Sequence, residues 1–582
     1  MTPHSLLQES LIAETFLDVR RRLFRQLLES MVYEKIVHPE IDADGMARLH
    51  GEATYTFRVR QAFAFDRIRI DGIVMRNGSE AESPARMLAE LQPLHRAPDD
   101  LLARFAGELD ETLLKDAMSA HWRRDKGALR GLAYDEIESR LPDGHPYHPG
   151  YKSRVGFDLV DNAAFSPEFA PRVRVIWLAA HHAGSARTHV SEINADAWLD
   201  DDLGDMCATF DAEMRRQGCD PRDYVRLAVH PWQWREIVAP RFAEEIRARR
   251  LIVLGESAEA YRPQQSIRTL ANGDRLDGAT LKLALSITNT STSRLLARHT
   301  VLNGPRISEW LWQIAAEDPF LRDEMRVVVL REMMGASYDR AQPAALGPRT
   351  YGTLSCMWRE SLHRWLEPGE DALPWNALCH VDLDGRPLID PWMGDVEAWT
   401  RRLLSISVPA VMRFLCAHGI GLESHAQNMI LIHRNGVPTR VALKDFHDGV
   451  RFSPAHLAAP ARMPTLHPTP PTHVNVNRNS FITCDSPRKV ADFVLDAFFF
   501  INIAELGFFL ERHYGLSERR FWAMVEEQAR AHGADASPFD LYAPTISVER
   551  LTNRRMFPET EVHEHAVSNP LHRIRTEAEA LA

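Results

Sequence analysis

Apolar residues recur at helical spacing over residues 8–37, with the "RRR" triplet of Arg20, Arg21 and Arg22 on the opposite face. That spacing predicts a helix with the triplet turned outward. Over residues 52–75, "EATYTFRVRQAFAFDRIRIDGIVM" alternates apolar and polar positions and predicts strands. Helical spacing returns over residues 83–140, and the Pro/Gly/His-rich "PDGHPYHPGYKSRVG" then marks a first candidate boundary. "RVRVIWLAAH" and "YVRLAVHP" read as short strands with helices between them, followed by a hairpin over residues 264–288. A second candidate boundary falls in "SLHRWLEPGEDALPW" (361–375). The remainder reads as largely helical, apart from a hairpin over 428–445 and the loop "PARMPTLHPTPPTHVN". The most apolar run, "FVLDAFFFINIAELGFFL" from Phe493, is interrupted by Asp496, Asn502 and Glu505, so it predicts a core helix and no membrane span. The pattern gives an α+β chain in three units, residues 1–150, 151–365 and 366–582.

Composition narrows the functional classes. The chain has 582 residues, 45% hydrophobic and 26% charged, which suits a globular protein with more than one core. A net charge of -11 argues against a nucleic-acid partner, which would require a basic face, yet leaves room for a local basic pocket. The six cysteines form no CxxC pair and read as reduced thiols of a cytoplasmic protein. The N-terminus carries acids early and lacks a basic start followed by an apolar core, so no signal peptide is expected.

The densest chemistry lies in "HGIGLESHAQNMIL" (418–431) and its continuation "IHRNGVPTRVALKDFHD". "MILIH" and "RVALK" predict two strands, and Asn435-Gly436 with Pro438 supplies the turn. Pairing them brings Asn428 and Asp445 to the same end, two oxygen ligands of the kind Mg²⁺ uses beside nucleotide phosphates. His425 and Gln427 lie in the preceding loop, where Gly419 and Gly421 permit a tight bend and close approach to a ligand. The bland reading is a helix C-cap at His418-Gly419 followed by an ordinary loop. The His…Asn…Asp order also fits a kinase-like phosphotransferase.

A second cluster reads "QQSIRTLANGDRLDGATLKLALSITNTSTSRLLAR" (264–298). On a strand, Ser266 and Arg268 share a face. Lys282, Ser286 and Thr288 share another, with Leu281, Leu283, Leu285 and Ile287 opposite. A hairpin would present Arg268 and Lys282 together. The hydroxyl run "NTSTSR", ending in Arg294, suits a helix start that binds phosphate or carboxylate. The bland alternative is a solvated edge hairpin. No Walker A sequence and no strand-linked GxGxxG is present, so any ATP site uses a less common cradle.

Taken in order, "GHPYHPGYKSRVGF" (144–157), "HPWQW" (230–234), "SIRTL" (266–270), "KLALSITNTSTSR" (282–294) with "LNGP" (302–305), "HGIGLESHAQN" (418–428) and "KDFHDGVRF" (444–452) resemble the IucA/IucC family. These are siderophore synthetases that work without a nonribosomal peptide synthetase. The resemblance implies a hand-like fold of thumb, fingers and palm, mapped here onto the three units above. It also implies ATP- and Mg²⁺-dependent adenylation of a carboxylate, usually of citrate, followed by attack of an amine or hydroxyl, and a homodimer. By the family pattern Ser266, Arg268 and Lys282 contact the triphosphate, and Thr290 and Arg294 lie at the phosphate–citrate junction. His425 holds the carboxylate substrate, Gln427 and Asn428 line the nucleotide site, and Asp445 binds Mg²⁺, with Asn428 as a second candidate ligand. Arg294, His425 and Lys282 are the catalytic candidates.

This chain departs from the pattern near its C-terminus. A lysine that often reaches the carboxylate substrate is replaced in "ISVERLTNRRMF" by Glu549 or Arg550, leaving Arg550, Arg554 or Arg555 as basic stand-ins. His145 and His148, three apart among prolines, read as a structural loop lining the cleft rather than metal ligands, and Trp232 and Trp234 as packing residues. A non-catalytic citrate- or siderophore-binding protein is the remaining alternative.

Overall fold

The structure is a computed structural model and describes residues 2–142, 144–290, 292–340, 342–343, 345–475, 482–535, 537–558 and 563–581. It is α+β, as expected, and its sheets are almost wholly antiparallel. A five-stranded meander runs from Glu40–Ile41 to Ser79–Glu80 and packs on the helices Glu14–Tyr33 and Asp99–Arg123. A six-stranded sheet has the order Tyr261–Pro263, Thr269–Asn272, Thr280–Leu283, Ser355–Arg359, Glu332–Tyr338, Ser185–His189. A four-stranded sheet contains the hairpin Met429–Arg434/Val437–Leu443, flanked by Asp371–Pro374 and by Val328–Val329, the latter in parallel.

Several local readings change. The first helix breaks at Ala13 into Pro3–Ile12 and Glu14–Tyr33. The arginine triplet does not face outward. Arg20 and Arg21 both hold Glu80 of the meander, and Arg22 reaches Asp116 and the Tyr151 hydroxyl. The 428–445 hairpin forms with a two-residue turn in which Asn435 (φ 50°) and Gly436 (φ 82°) are both left-handed, as a type I′ turn requires. A Cβ on Gly436 would also lie 2.1 Å from the Trp392 ring.

Within "HPYHPGYKSRV", residues 147–154 are buried. Lys152 donates to Asp116 (2.7 Å), and Arg154 forks onto Glu168 (2.8 and 2.9 Å). Val155 exchanges backbone hydrogen bonds with Thr288 (2.8 and 3.0 Å), tying this loop to the hairpin that carries Arg294. Trp232 packs in a core with Phe157 and Ile287, as a packing residue should, and Gln233 bonds both the amide and the hydroxyl of Ser286. The apolar run forms part of a helix, Pro487–Tyr514, with 72% of its most apolar window buried. Its Leu495–Ile503 section is π-helical.

Two contacts join distant parts of the chain. Fully buried Glu34 accepts the amides of Thr552 (3.0 Å) and Asn553 (2.6 Å) at the start of Leu551–Met556. Burial pushes its carboxyl up to about 8. Asp318 follows the helix Arg298–Glu317 and accepts from Arg413 (2.7 Å) and His418 (2.8 Å), both on the helix Val396–His418. That second helix ends at left-handed Gly419, the C-cap that launches the polar loop 420–428. Burial would raise the Asp318 pKa, but the Arg413 and His418 hydrogen bonds hold it at about 2.

Because that pKa lies below the ordinary 3.8, the Asp318 contribution is complete above about pH 4 and is lost as the pH falls toward 2. Asp318→Asn is expected to lower stability by about 2 kcal/mol at pH 7. Denaturant unfolding at pH 7 and pH 3 checks this, with the wild-type–variant difference shrinking at the lower pH.

Candidate active site

Interior strands of the six- and four-stranded sheets converge on Asp445, the second residue after the strand Val437–Leu443. Its Oδ1 takes Lys282 at 3.1 Å and Arg359 at 2.7 Å, both from the six-stranded sheet. Arg359 also donates to Gln264 (3.1 Å). Lys282 is 6% exposed, and burial pushes its ammonium down to about 8 even with Asp445 opposing the shift. Burial raises the Asp445 pKa, but Lys282 and Arg359 outweigh it and keep the carboxylate well below its usual range. Two buried cations thus share one carboxylate. Such a group costs desolvation energy that a hydrophobic replacement would not, which favours a binding role over a purely structural one.

The 264–298 cluster reaches the same place by different local structure than expected. Ser266 and Arg268 are not on a strand. They flank Ile267, held at φ 66°, in a turn whose Ser266 hydroxyl bonds Thr269 (2.6 Å). The strand begins at Thr269, which pairs with Lys282, so Arg268 and Lys282 still come together. Arg268 donates to the carbonyls of Arg294 (2.9 Å) and Leu295 (2.7 Å), and burial, then the charge of Arg294, lowers its pKa to about 10. The expected single strand from Lys282 to Thr288 is interrupted at Ala284 and changes partner. "NTSTSR" opens no helix. Leu285–Asn289 and Thr292–Arg294 form a hairpin, with Thr290 at φ 57° in its turn and Ser291 outside the described residues. Arg294 reaches the Thr290 hydroxyl (3.2 Å), while its Nε is buried without a partner.

The loop 420–428 completes the site. His425 Nδ1 accepts the Gln427 amide (3.2 Å), which leaves the ring proton on Nε2, and burial holds its pKa at about 4. His145 is fixed in the same way, its Nδ1 accepting the His148 amide (3.2 Å). Its pKa is lowered to about 3 by burial and then by the charge of His425. Half-buried Gln427 follows His425, and Asn428 donates to the Glu423 carbonyl (2.9 Å) while accepting the Lys444 amide (3.1 Å). Gly419 and Gly421 serve packing rather than ligand approach. A Cβ there would lie 2.2 Å from the His456 carbonyl or 3.0 Å from Val490 and Val494.

Arg359, Glu332 and His447 escaped the sequence reading. Glu332, Asp445 and His447 bring one donor atom each within 4.8 Å of one another. His447 bonds Glu332 Oε1 (2.8 Å), while Glu332 Oε2 is buried without a partner. An orphaned carboxylate oxygen in an oxygen-and-imidazole set fits a divalent cation. His447 had a signal, lying two residues from Asp445. Glu332 had only its charge at the head of the wholly buried strand "EMMGASY". The C-terminal stand-ins diverge: Arg555 forks onto Glu108, and Arg554 lies 3.8 Å from Glu549.

Comparison with known proteins supplies the family. Residues 133–380 match the profile of the IucA/IucC family. A Bacillus anthracis citryl-spermidine/3,4-dihydroxybenzoyl-citryl-spermidine:spermidine ligase is 37% identical, over 98% of this chain and 96% of its own length. The chain belongs to the IucA/IucC family. A second family member, the Staphylococcus aureus 2-[(L-alanin-3-ylcarbamoyl)methyl]-3-(2-aminoethylcarbamoyl)-2-hydroxypropanoate synthase, is 40% identical over 96% of this chain and 94% of its own. The crystal structure of the petrobactin biosynthesis protein AsbB from Bacillus anthracis superposes with a TM-score of 0.92 at 36% identity, covering 100% of both chains. Residues 397–580 also match a profile described as ferric iron reductase FhuF-like transporter.

The neutral state of His425 is directly measurable. Its imidazole nitrogens are expected to show no titration between pH 5.5 and 8 by NMR, since the pKa lies near 4. An inflection near the ordinary 6.5 would contradict a neutral ring whose Nδ1 accepts the Gln427 amide.

Proposed function

We propose that this chain is an ATP-dependent siderophore synthetase. It activates a carboxylate of citrate or a citrate-like acid as the acyl-adenylate and passes the acyl group to an amine or hydroxyl. The observation that carries this reading is the Asp445 carboxylate shared by buried Lys282 and Arg359, with Arg268 next to the Thr269–Lys282 pair and held to the Arg294 carbonyl. Cations on one side suit a triphosphate. A guanidinium with two neutral Nε2–H donors suits an organic carboxylate.

The chemistry follows from charge. A carboxylate oxygen must attack the α-phosphorus although both partners are anionic. Lys282 and Arg268 offset the repulsion along the phosphates, with Ser266 at the turn between them. Arg294 and Thr290 sit at the junction of the two substrates. The bond from the α-phosphorus to the bridging oxygen breaks, and pyrophosphate leaves. An amine nitrogen or hydroxyl oxygen then attacks the acyl carbon, the bond to AMP breaks, and the nucleophile gives up its proton. Neutral His425 and His145 donate hydrogen bonds to the acid, and Gln427 and Asn428 line the nucleotide side. Asp445 with Glu332 and His447, and Asn428 nearby, would hold Mg²⁺, which neutralises phosphate charge when bound. Holding both substrates in register supplies roughly 7–11 kcal/mol of the barrier.

The relatives named above act on citryl-spermidine and spermidine, or make a product with aminoethyl and alanin-3-yl groups. Their names support a citrate-derived acid and an amine with further cationic groups. The FhuF-like match suggests no cluster chemistry here: residues 397–580 carry two cysteines, Cys416 and Cys484, where a four-thiolate iron–sulfur centre takes four.

Product analysis separates the readings. The synthetase is expected to form AMP and pyrophosphate in an acid-dependent manner, and formation of ADP with a phosphorylated product would establish the kinase reading instead. Asp445→Ala is expected to reduce acid-dependent AMP release by at least about 100-fold. Undiminished release would rule out the phosphate–metal role of Asp445.

A further inference from the structure

The activation chemistry makes no direct use of "HPWQW" (230–234), yet the segment is tied down on every side. His230 Nδ1 accepts the Trp232 amide (3.2 Å), and the Trp232 indole donates to Asp161 (3.0 Å), which also takes Arg235 (2.8 Å). Gln233, between these anchors, is 0% exposed. Its side chain reaches the other way, to the hairpin Leu285–Asn289/Thr292–Arg294. Oε1 accepts the Ser286 amide (2.8 Å), and Nε2 donates to the Ser286 hydroxyl (3.0 Å) and to the Thr353 carbonyl (2.8 Å).

These three hydrogen bonds meet the chain at an irregularity. The hairpin register steps from Leu285 opposite Arg294 directly to Thr288 opposite Ser293, so Ser286 and Ile287 face no residue of the short strand. A bulge of this kind bends a strand and re-aims the side chains beyond it. It also strands a buried amide, which is costly to leave unpaired. A primary amide can replace the missing strand, because one planar group carries an acceptor and two donors. The second donor ties the bulge to Thr353, two residues before the strand Ser355–Arg359.

That strand is the neighbour of the one carrying Lys282, which lies opposite Met357. The chain leaves this ladder after Ala284, whose amide still reaches the Ser355 carbonyl (3.1 Å). Lys282 therefore holds its place by backbone pairing alone. Arg294 does not. It sits across the bulged hairpin, and its guanidinium turns back onto the Asn289 carbonyl (3.3 Å) and the Thr290 hydroxyl (3.2 Å), so it moves with the hairpin as one body.

We propose that Gln233 is a positioning residue for the acid half of the site. It fixes the angle at which the hairpin leaves the sheet, and with it the distance from Lys282 to Arg294 and Thr290. Gln233 acts through the hairpin and touches no substrate. The inference rests on the proposed synthetase function for the identity of the acid that Arg294 meets.

The two halves of the site are separable by measurement. Q233M keeps the length and removes all three hydrogen bonds, whereas Q233E keeps the length and the acceptor. Each is compared with wild type by citrate-dependent ATP–pyrophosphate exchange over ranges of citrate and ATP. Calorimetric titration follows, with citrate in the presence and absence of a non-hydrolysable ATP analogue, and with the analogue alone. Q233M is expected to raise the KM and Kd for citrate at least about tenfold while leaving those for the nucleotide within about twofold. Q233E is expected to fall between Q233M and wild type, and it is read in the same way should Q233M fail to fold. A merely structural role lowers the apparent kcat and leaves both KM values unchanged, and that result overturns the proposal. So does an equal rise for both ligands, or the failure of both variants to fold. A wild type that binds citrate without exchange counts against the synthetase reading alone, since the citrate Kd of the variants still tests Gln233. A wild type that binds no citrate in either condition overturns both.

Discussion

One carboxylate holds the centre of this molecule. Asp445 leaves the hairpin of one sheet and is gripped by Lys282 and Arg359 of another. Neither cation could remain buried without it, because each would carry an uncompensated charge in a low-dielectric interior. The carboxylate therefore sets both the relative position of the two sheets and the electrostatics of the cleft between them. An anion that reaches this point meets cations already desolvated and aimed.

The backbone around this point is strained where side chains must converge. Ile267, Thr290 and Asp445 are all left-handed without being glycine, and each lies within or beside a residue set singled out from the sequence. A β-branched isoleucine at φ 66° is unusual enough to need support from its surroundings. That support is visible. Ser266 closes the Ile267 turn, and the Val155–Thr288 bridge pins the hairpin carrying Thr290. Gly449 passes so close to the Asp445 carbonyl that a Cβ would lie 2.5 Å away.

Much of this was legible from local chemistry. Asn435-Gly436 dictated the turn, and the turn dictated that residues 428 and 445 share an end. The alternation around Lys282 gave its strand, and the charges breaking the run from Phe493 marked a core helix. What could not be read was anything set by a partner far along the chain. Arg20–Arg22 seemed to be surface charge because Glu80 and Asp116 lie about 60 and 95 residues away. Glu332 carried no motif, and its role depends on His447, 115 residues on. Ser266 and Arg268 were placed on a strand because alternation cannot reveal a left-handed residue between them. The hydroxyls of "NTSTSR" fit a helix start equally well until hairpin pairing claimed their backbone.

The cap made by Glu34 has a consequence for how the polypeptide is assembled. A glutamate at the C-terminal cap of the second helix accepts amides more than 500 residues later. While the ribosome is still adding residues before Thr552, that acceptor has no donor, and the apolar surface around it, including the face that receives Met556, stays open. The earlier segment thus reaches its final packing only when the later one arrives, and the nascent chain must keep the exposed patch out of trouble until then.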